Sequence, residues 1–81
     1  MEVNGRKIEP GANLEGAILG GSCLAMANLR GANLSFALLS NANLSGADLT
    51  GADLTDAALI HVVWAGSTKP DGTIWKRYKG N

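Results

Sequence analysis

ANLEG AILGG SCLAM ANLRG ANLSF ALLSN ANLSG ADLTG ADLTD AALIH, residues 12–61, is one five-residue unit repeated ten times. Leucine stands at the centre of every unit, and alanine stands two positions earlier in all but one, where Ser22 replaces it. A short period kept over most of a chain is typical of a stacked repeat structure, in which each unit packs against its neighbours.

A period of five fits neither regular secondary structure. A helix needs apolar residues at i, i+3, i+4 and i+7, so a step of five would spread the leucines over all its faces. In a continuous strand the side chains alternate, so an odd step cannot stay on one face. Short extended pieces joined by corners satisfy the pattern, because alanine and leucine then point inward while the last two residues of each unit turn the chain.

The residues at the corners predict two kinds of turn. Half of the ten units end in glycine, which is the residue that a type II turn favours at its positive-φ position. The other half end in Met26, Phe36, Asn41, Asp56 and His61. Because methionine and phenylalanine disfavour positive φ, we expect these corners to use a different turn.

The units ANLRG, ANLSG, ADLTG and ADLTD resemble the A-(D/N)-L-x-x pattern of the pentapeptide-repeat family. The resemblance implies that family's right-handed quadrilateral β-helix, with four units in each coil of twenty residues. The outward middle position supports this spacing independently. It is Asn or Asp in most units, and its apolar exceptions Ile18, Leu38 and Ala58 lie twenty apart, while Cys23 and Val63 differ by forty.

The predicted fold is therefore all-β, a right-handed quadrilateral β-helix of about two and a half coils with short terminal caps. Its parts are an N-terminal cap (1–11), the coil (12–66), and a C-terminal cap with a basic tail (67–81). The predicted core consists of the inward residues Leu14, Leu19, Leu24, Leu29, Leu34, Leu39, Leu44, Leu49, Leu54, Leu59 and Trp64.

The two flanks are expected to cover the raw edges of the coil. Asn4-Gly5 is typical of a tight hairpin, and Pro70-Asp71-Gly72 is a strong turn signal. After this turn, Ile74, Trp75 and Tyr78 are expected to fold back over the core. A solenoid needs such caps because its last coil has no neighbour.

The outer surface is predicted to carry two features. Columns of Asn and Asp would form amide ladders between coils. A second column is apolar, and exposed apolar columns usually mark a contact surface. The predicted interaction face consists of Ile18, Phe36, Leu38, Ala58 and Ile60. The alternative is that cap residues fold over this column.

No catalytic or metal-binding constellation can be assembled from the sequence. His61 is the only histidine and Cys23 the only cysteine, so there is neither a nucleophile–base pair nor a metal-ligand spacing. We therefore expect a protein that is not an enzyme and that uses no cofactor. The expected role is that of a rigid structural or protein-interaction module.

The charges bear on the partner. Seven basic and seven acidic residues cancel, which argues against nucleic acid and membrane surfaces as partners. The alternative is a nucleic-acid role through the basic aromatic tail WKRYK, or DNA mimicry and topoisomerase inhibition as in some members of the family it resembles. The repeats here carry only four acids, too few for mimicry. A protein partner or a homodimer, in the cytoplasm, is the main expectation.

Overall fold

A computed structural model describes residues 1–74. The chain opens with an antiparallel hairpin of β1 (Glu2–Val3) and β2 (Arg6–Lys7). Asn4 and Gly5 connect the strands with φ of 51° and 77°, and two positive φ values characterise the type I′ turn that suits a right-twisted hairpin. The hairpin expected from Asn4-Gly5 is confirmed.

After the hairpin the chain forms a β-helix. Eight parallel bridges occur in the described part, and every one joins residues twenty apart. The expected spacing of twenty is thus confirmed, and four units complete one coil. We number the four sides by their bridged residues: side 1 (Asn13, Asn33, Asp53), side 2 (Ile18, Leu38, Ala58), side 3 (Cys23, Asn43, Val63) and side 4 (Asn28, Asp48, Thr68).

Each side is an extended piece too short to pair more than one residue per coil. On side 1, Leu14 donates its N–H to the Asn33 carbonyl at 2.8 Å, and Asn33 donates to the Ala12 carbonyl at 2.9 Å. At the following corner, Gly16 donates to the Ser35 carbonyl at 2.9 Å. The same set recurs on the other sides, so the backbone polar groups of successive coils satisfy each other.

Every corner uses the same turn, and the expectation of two kinds was wrong. In the first unit, Ala17 donates its N–H to the Leu14 carbonyl at 3.0 Å, and Gly16 has φ of 67°. A positive φ at the third residue alone defines a type II turn. The corners without glycine have φ between 55° and 67°, at Met26, Phe36, Asn41, Asp56 and His61. The stacking of coils overrides the local preference of these side chains, because any other turn would move the next side out of register.

The interior is a stack of leucines and alanines. Of the predicted core residues, eight leucines are almost completely buried and Trp64 is buried: Leu14, Leu19, Leu24, Leu29, Leu34, Leu39, Leu44 and Leu49. Leu54 and Leu59 are only partly buried and pack against this cluster. Both lie in the last coil, where no further coil stacks beneath them among the described residues.

The hairpin packs against the first coil at the N-terminal end of the stack. Ile8 is buried in the core, and Val3 is partly buried and packs against the same core cluster. The Arg6 guanidinium donates to the carbonyl oxygens of Asn13 (3.1 Å) and Glu15 (3.5 Å), and the Asn4 side-chain amide donates to that of Ile18 (2.7 Å). Side-chain donors thus replace the N–H groups that a preceding coil would supply.

At the other end the coil pattern continues into the expected turn. Leu49 and Gly51 donate their N–H groups to the carbonyls of Thr68 (3.0 Å) and Pro70 (2.8 Å). The chain then reverses, and Ile74 pairs antiparallel with Thr68.

Ile74 does fold back, but its side chain is exposed rather than laid over the core, which contradicts that part of the expectation. Trp75 and Tyr78, with the rest of the basic tail, lie outside the described residues.

We predict that burial depth sets the cost of truncating a leucine within one column. Leu34 and Leu54 share the side 1 column, but only Leu34 is fully enclosed. Leu34→Ala should lower the free energy of unfolding by about 3 kcal/mol, and Leu54→Ala by about half as much, because its surroundings can relax into solvent. Chemical denaturation measures both, and equal losses would contradict the prediction.

A second prediction concerns the corner of Ala25 and Met26. Met26 has φ of 65°, whereas Ala25 has no positive φ. Met26→Gly should raise the free energy of unfolding by up to about 1 kcal/mol by relieving the left-handed backbone. Its neighbour Ala25→Gly is the control and should lower it by about 0.5–1 kcal/mol. Two changes of the same sign, seen in thermal or chemical melts, would count against this explanation.

Candidate functional site

The predicted interaction face lies on side 2 and its two corners. Ile18, Leu38 and Ala58 are stacked directly by parallel bridges. Ile18 is 65% exposed, Leu38 is 48% exposed, and Ala58 is half-buried. Ile18 and Leu38 are equal in size and Ala58 is much smaller, so the surface sinks to a shallow notch over Ala58. We call these three residues, together with Phe36 and Ile60, the apolar face.

Phe36 and Ile60 flank this column from opposite corners. Phe36 lies at the corner before Leu38 and is 55% exposed, and Ile60 lies at the corner after Ala58 and is 67% exposed. The left-handed backbone at Phe36 is part of this placement, since it is the corner residue with φ of 61°. Large apolar side chains at both margins widen the column into a contiguous surface.

The backbone of side 2 is already engaged between coils. Leu19 and Leu39 donate their N–H groups to the carbonyls of Leu38 (2.8 Å) and Ala58 (2.9 Å). The N–H groups of Leu38 and Ala58 donate in turn to the carbonyls of Ala17 and Ala37 in the coil above, at 2.9 Å in both cases. The backbone groups of Leu38 and Ala58 are therefore already bonded between coils, and the middle of the apolar face offers a partner its side chains.

A groove adjoins the N-terminal end of this face. It has a volume of about 410 Å³ and is lined by Asn4, Arg6, Gly16 and Ile18. The groove exists because the hairpin stands beside the first coil, held by the bonds from Asn4 and Arg6. Sequence reasoning missed it, since no local pattern tells where a cap will lie.

Two further exposed apolar residues, Val63 and Met26, lie on side 3 and at the corner that follows it. Val63 is 48% exposed on this side, in the same column as the exposed free thiol of Cys23. The Met26 thioether lies over Gly46, in the space that a Cβ at that position would take. Glycine at this corner thus leaves room for the methionine of the coil above.

The outward Asn and Asp side chains bond within their own units. On side 1 the Asn33 Oδ1 accepts from the Ser35 N–H (3.0 Å) and hydroxyl (2.6 Å), and Asp53 is bound in the same way by Thr55. Asn43 and Asp48 repeat the arrangement, and Asp71 bonds to Thr73 in the same way in the C-terminal turn. These side chains brace the entry to the next corner, as an Asx-turn does. Sequence reasoning expected ladders between coils and missed this role, for which the [ND]-L-[ST] spacing was the signal.

Asp48 is the most strongly held of these carboxylates. One oxygen accepts from the Thr50 hydroxyl (2.6 Å) and N–H (3.0 Å), and the other pairs with the Arg30 guanidinium of the coil above at 3.0 Å. The Thr50 hydroxyl, then its N–H, and then Arg30 lower the pKa of Asp48 to about 2. Bonds from Thr55 and Thr73 likewise lower the pKa of Asp53 and of Asp71.

The structure brings no reactive groups together in the part of the chain that it describes. His61 is an exposed corner residue, and Cys23 is exposed on another side. Residues 1–74 contain no group of three or more His, Cys, Asp or Glu side chains placed to hold a metal ion. Within the same residues, no helix has the length and apolar character needed to cross a membrane.

We predict that acid weakens the fold partly through Asp48. Its pKa is about 2 in the folded chain against an ordinary 3.8, so the ionised form stabilises the fold above about pH 4 and this contribution is lost as the pH falls toward 2. In Asp48→Asn the free energy of unfolding should fall less over this range, although Asp53 and Asp71 still titrate.

Chemical denaturation at a series of pH values measures the difference. Identical slopes for wild type and Asp48→Asn would contradict the prediction.

Comparison with known proteins places these observations in a wider group. None of the curated proteins compared matches the chain. Among solved structures, the chain is similar to HetL, a pentapeptide repeat protein involved in heterocyst differentiation regulation from the cyanobacterium Nostoc sp. strain PCC 7120. The identity is 31%, the TM-score is 0.42, and the match covers 82% of this chain but only 42% of HetL.

The sequence profile of pentapeptide repeats matches in 8 copies, over residues 10–37 and 27–63. The two matches together span well over half of the chain, and they cover the coil whose bridges recur every twenty residues. The resemblance in the repeated unit and the observed stacking therefore agree, and the chain belongs to the pentapeptide-repeat family.

Proposed function

We propose that this chain is a non-enzymatic module that binds another protein through the apolar face. The observation that carries the proposal is the stacked, exposed column of Ile18 and Leu38 with its flanking corner residues Phe36 and Ile60. Contiguous exposed apolar surface is costly in water and usually marks a site that a partner covers.

The rigidity of the coil supports this role. On side 2, the N–H and the carbonyl of Leu38 both bond to the coil above, and the next residue, Leu39, points inward and is fully buried. A surface fixed in this way loses little conformational entropy when a partner binds, which favours affinity from a small area. The partner is another protein or a second copy of the chain.

The finer architecture is proposed with the function. We propose that the coil is right-handed and quadrilateral, with about two and a half turns over 12–66, and that segment 1–11 and the described part of segment 67–81 cap it. The bonds of Arg6 and Asn4 to the first coil support the N-terminal cap. The bonds to Thr68 and Pro70 continue the coil pattern into the first residues of the C-terminal segment.

A cytoplasmic location is proposed as well. The free, exposed thiol of Cys23 is compatible with a reducing compartment.

Leu38→Glu and Val63→Glu form a matched pair for the test. Both residues point outward and both are 48% exposed, but Val63 lies on side 3. We expect Leu38→Glu to lose the partners, or the dimer mass, that wild type shows in quantitative pull-down and sedimentation, because a carboxylate would be desolvated in the contact. Val63→Glu should retain them. The same partners and the same mass in all three proteins would refute the proposal.

A further inference from the structure

We infer that the occupant of the apolar face is an amphipathic α-helix of the partner, lying along the stacking axis of the coil. This inference rests on the proposed function, because it requires the face to be a protein contact. It adds the kind of segment that binds, its direction and the spacing of its apolar residues.

The size of the face argues against a stable homodimer. An aromatic side chain offers about 200 Å², which is an upper value for isoleucine and leucine, so the exposed fractions of Ile18, Phe36, Leu38 and Ile60 amount to at most roughly 500 Å². A stable protein interface buries about 800 Å² on each partner. One helical segment, by contrast, needs only a surface of this smaller size to bury its apolar stripe.

The hydrogen bonds of side 2 favour a helix over an extended segment. An added strand derives its affinity from backbone bonds to an exposed sheet edge. The N–H groups of Leu38 and Ala58 already donate between coils, and the carbonyls of these residues already accept. A strand laid on this surface would leave its own backbone groups facing apolar side chains. A helix satisfies its backbone internally and presents only side chains.

The distance between successive residues of the apolar column matches the pitch of an α-helix that lies along the stacking axis of the coil. Successive coils are about 4.8 Å apart, the usual distance between paired strands. The pitch of an α-helix is about 5.4 Å. Apolar residues at i, i+3 or i+4, and i+7 would therefore fall near Ile18, Leu38 and Ala58 in turn. The notch over Ala58 receives the largest of them, with Ile60 beside it.

Charged residues beside the apolar face indicate which edge of the partner helix should carry positive charge. Glu15 and Asp56 lie at the corner before side 2, in the first and the last coil, and both are exposed. His61 lies at the corner after it. The Arg6 guanidinium at the hairpin end donates to the Asn13 and Glu15 carbonyls. A helix with Lys or Arg beside its apolar stripe, on the Asp56 side, complements this margin.

The test selects peptides from a random displayed library on the wild-type protein. We expect enriched sequences with apolar residues spaced by three and four. The strongest binder, synthesised with ¹³C labels, should show helical carbon shifts when bound. Its affinity should fall at least tenfold with Leu38→Glu and less than twofold with Val63→Glu. Asp56→Asn, which keeps a residue tolerant of the left-handed corner, should weaken binding two- to fivefold at low salt. Ile18→Lys replaces Leu38→Glu if that variant does not fold.

The outcomes separate this inference from the proposed function. Binders that depend on Leu38 but are extended when bound, or a wild-type dimer that Leu38→Glu abolishes, would overturn the helix and leave a protein contact in place. If no enriched peptide distinguishes wild type from Leu38→Glu and Ile18→Lys, the inference is overturned. If these variants also retain every partner in the pull-down, the apolar face is not a contact at all.

Discussion

The whole molecule depends on one backbone constraint: the last residue of every unit adopts a left-handed conformation. With this φ held between 55° and 74° from Gly11 to Gly66, each corner turns the chain by the same amount and the fifth unit stacks beneath the first. Only then do the Leu14 N–H and the Asn33 carbonyl meet. The leucine columns, the outward columns and the braces from Asn and Asp all follow from this register. The conformation is costly at Phe36, but neighbouring coils bonded above and below leave it no alternative.

The parts of the fold that repeat were predictable from the sequence. Leucine and alanine two residues apart specify which side chains point inward, and the exceptions Ile18, Leu38 and Ala58 reveal the coil length because they recur every twenty residues. The hairpin was predictable from Asn4-Gly5, whose turn is determined by these two residues themselves. In each case the structure depends on a local pattern or on its repetition.

Features that depend on neighbouring coils could not be predicted from the repeated unit alone. The intrinsic preference of Met26 argues against positive φ, and only the stacked register overrides it. The incomplete burial of Leu54 depends on what lies below it, which its own unit does not encode. The environment of Ser67 could not be predicted from its own unit either. Its hydroxyl is fully buried and has no hydrogen-bond partner within the described part of the chain. For the candidate site, the exposure of Ile18 and Phe36 followed from their positions in the unit, whereas the groove beside Arg6 required the placement of the hairpin.

The difference between five residues per unit and twenty per coil has a consequence for how such a chain can change length. Gaining or losing one unit leaves every inward side chain inward, so the interior survives. It also carries all later residues a quarter of the way around the coil. An extra unit between Ile18 and Leu38 would thus place Leu38 under Cys23 and split the apolar column, with no effect on the leucines. Only changes by four units would preserve both the interior and the outer pattern. Length variation in this architecture therefore alters recognition long before it alters folding.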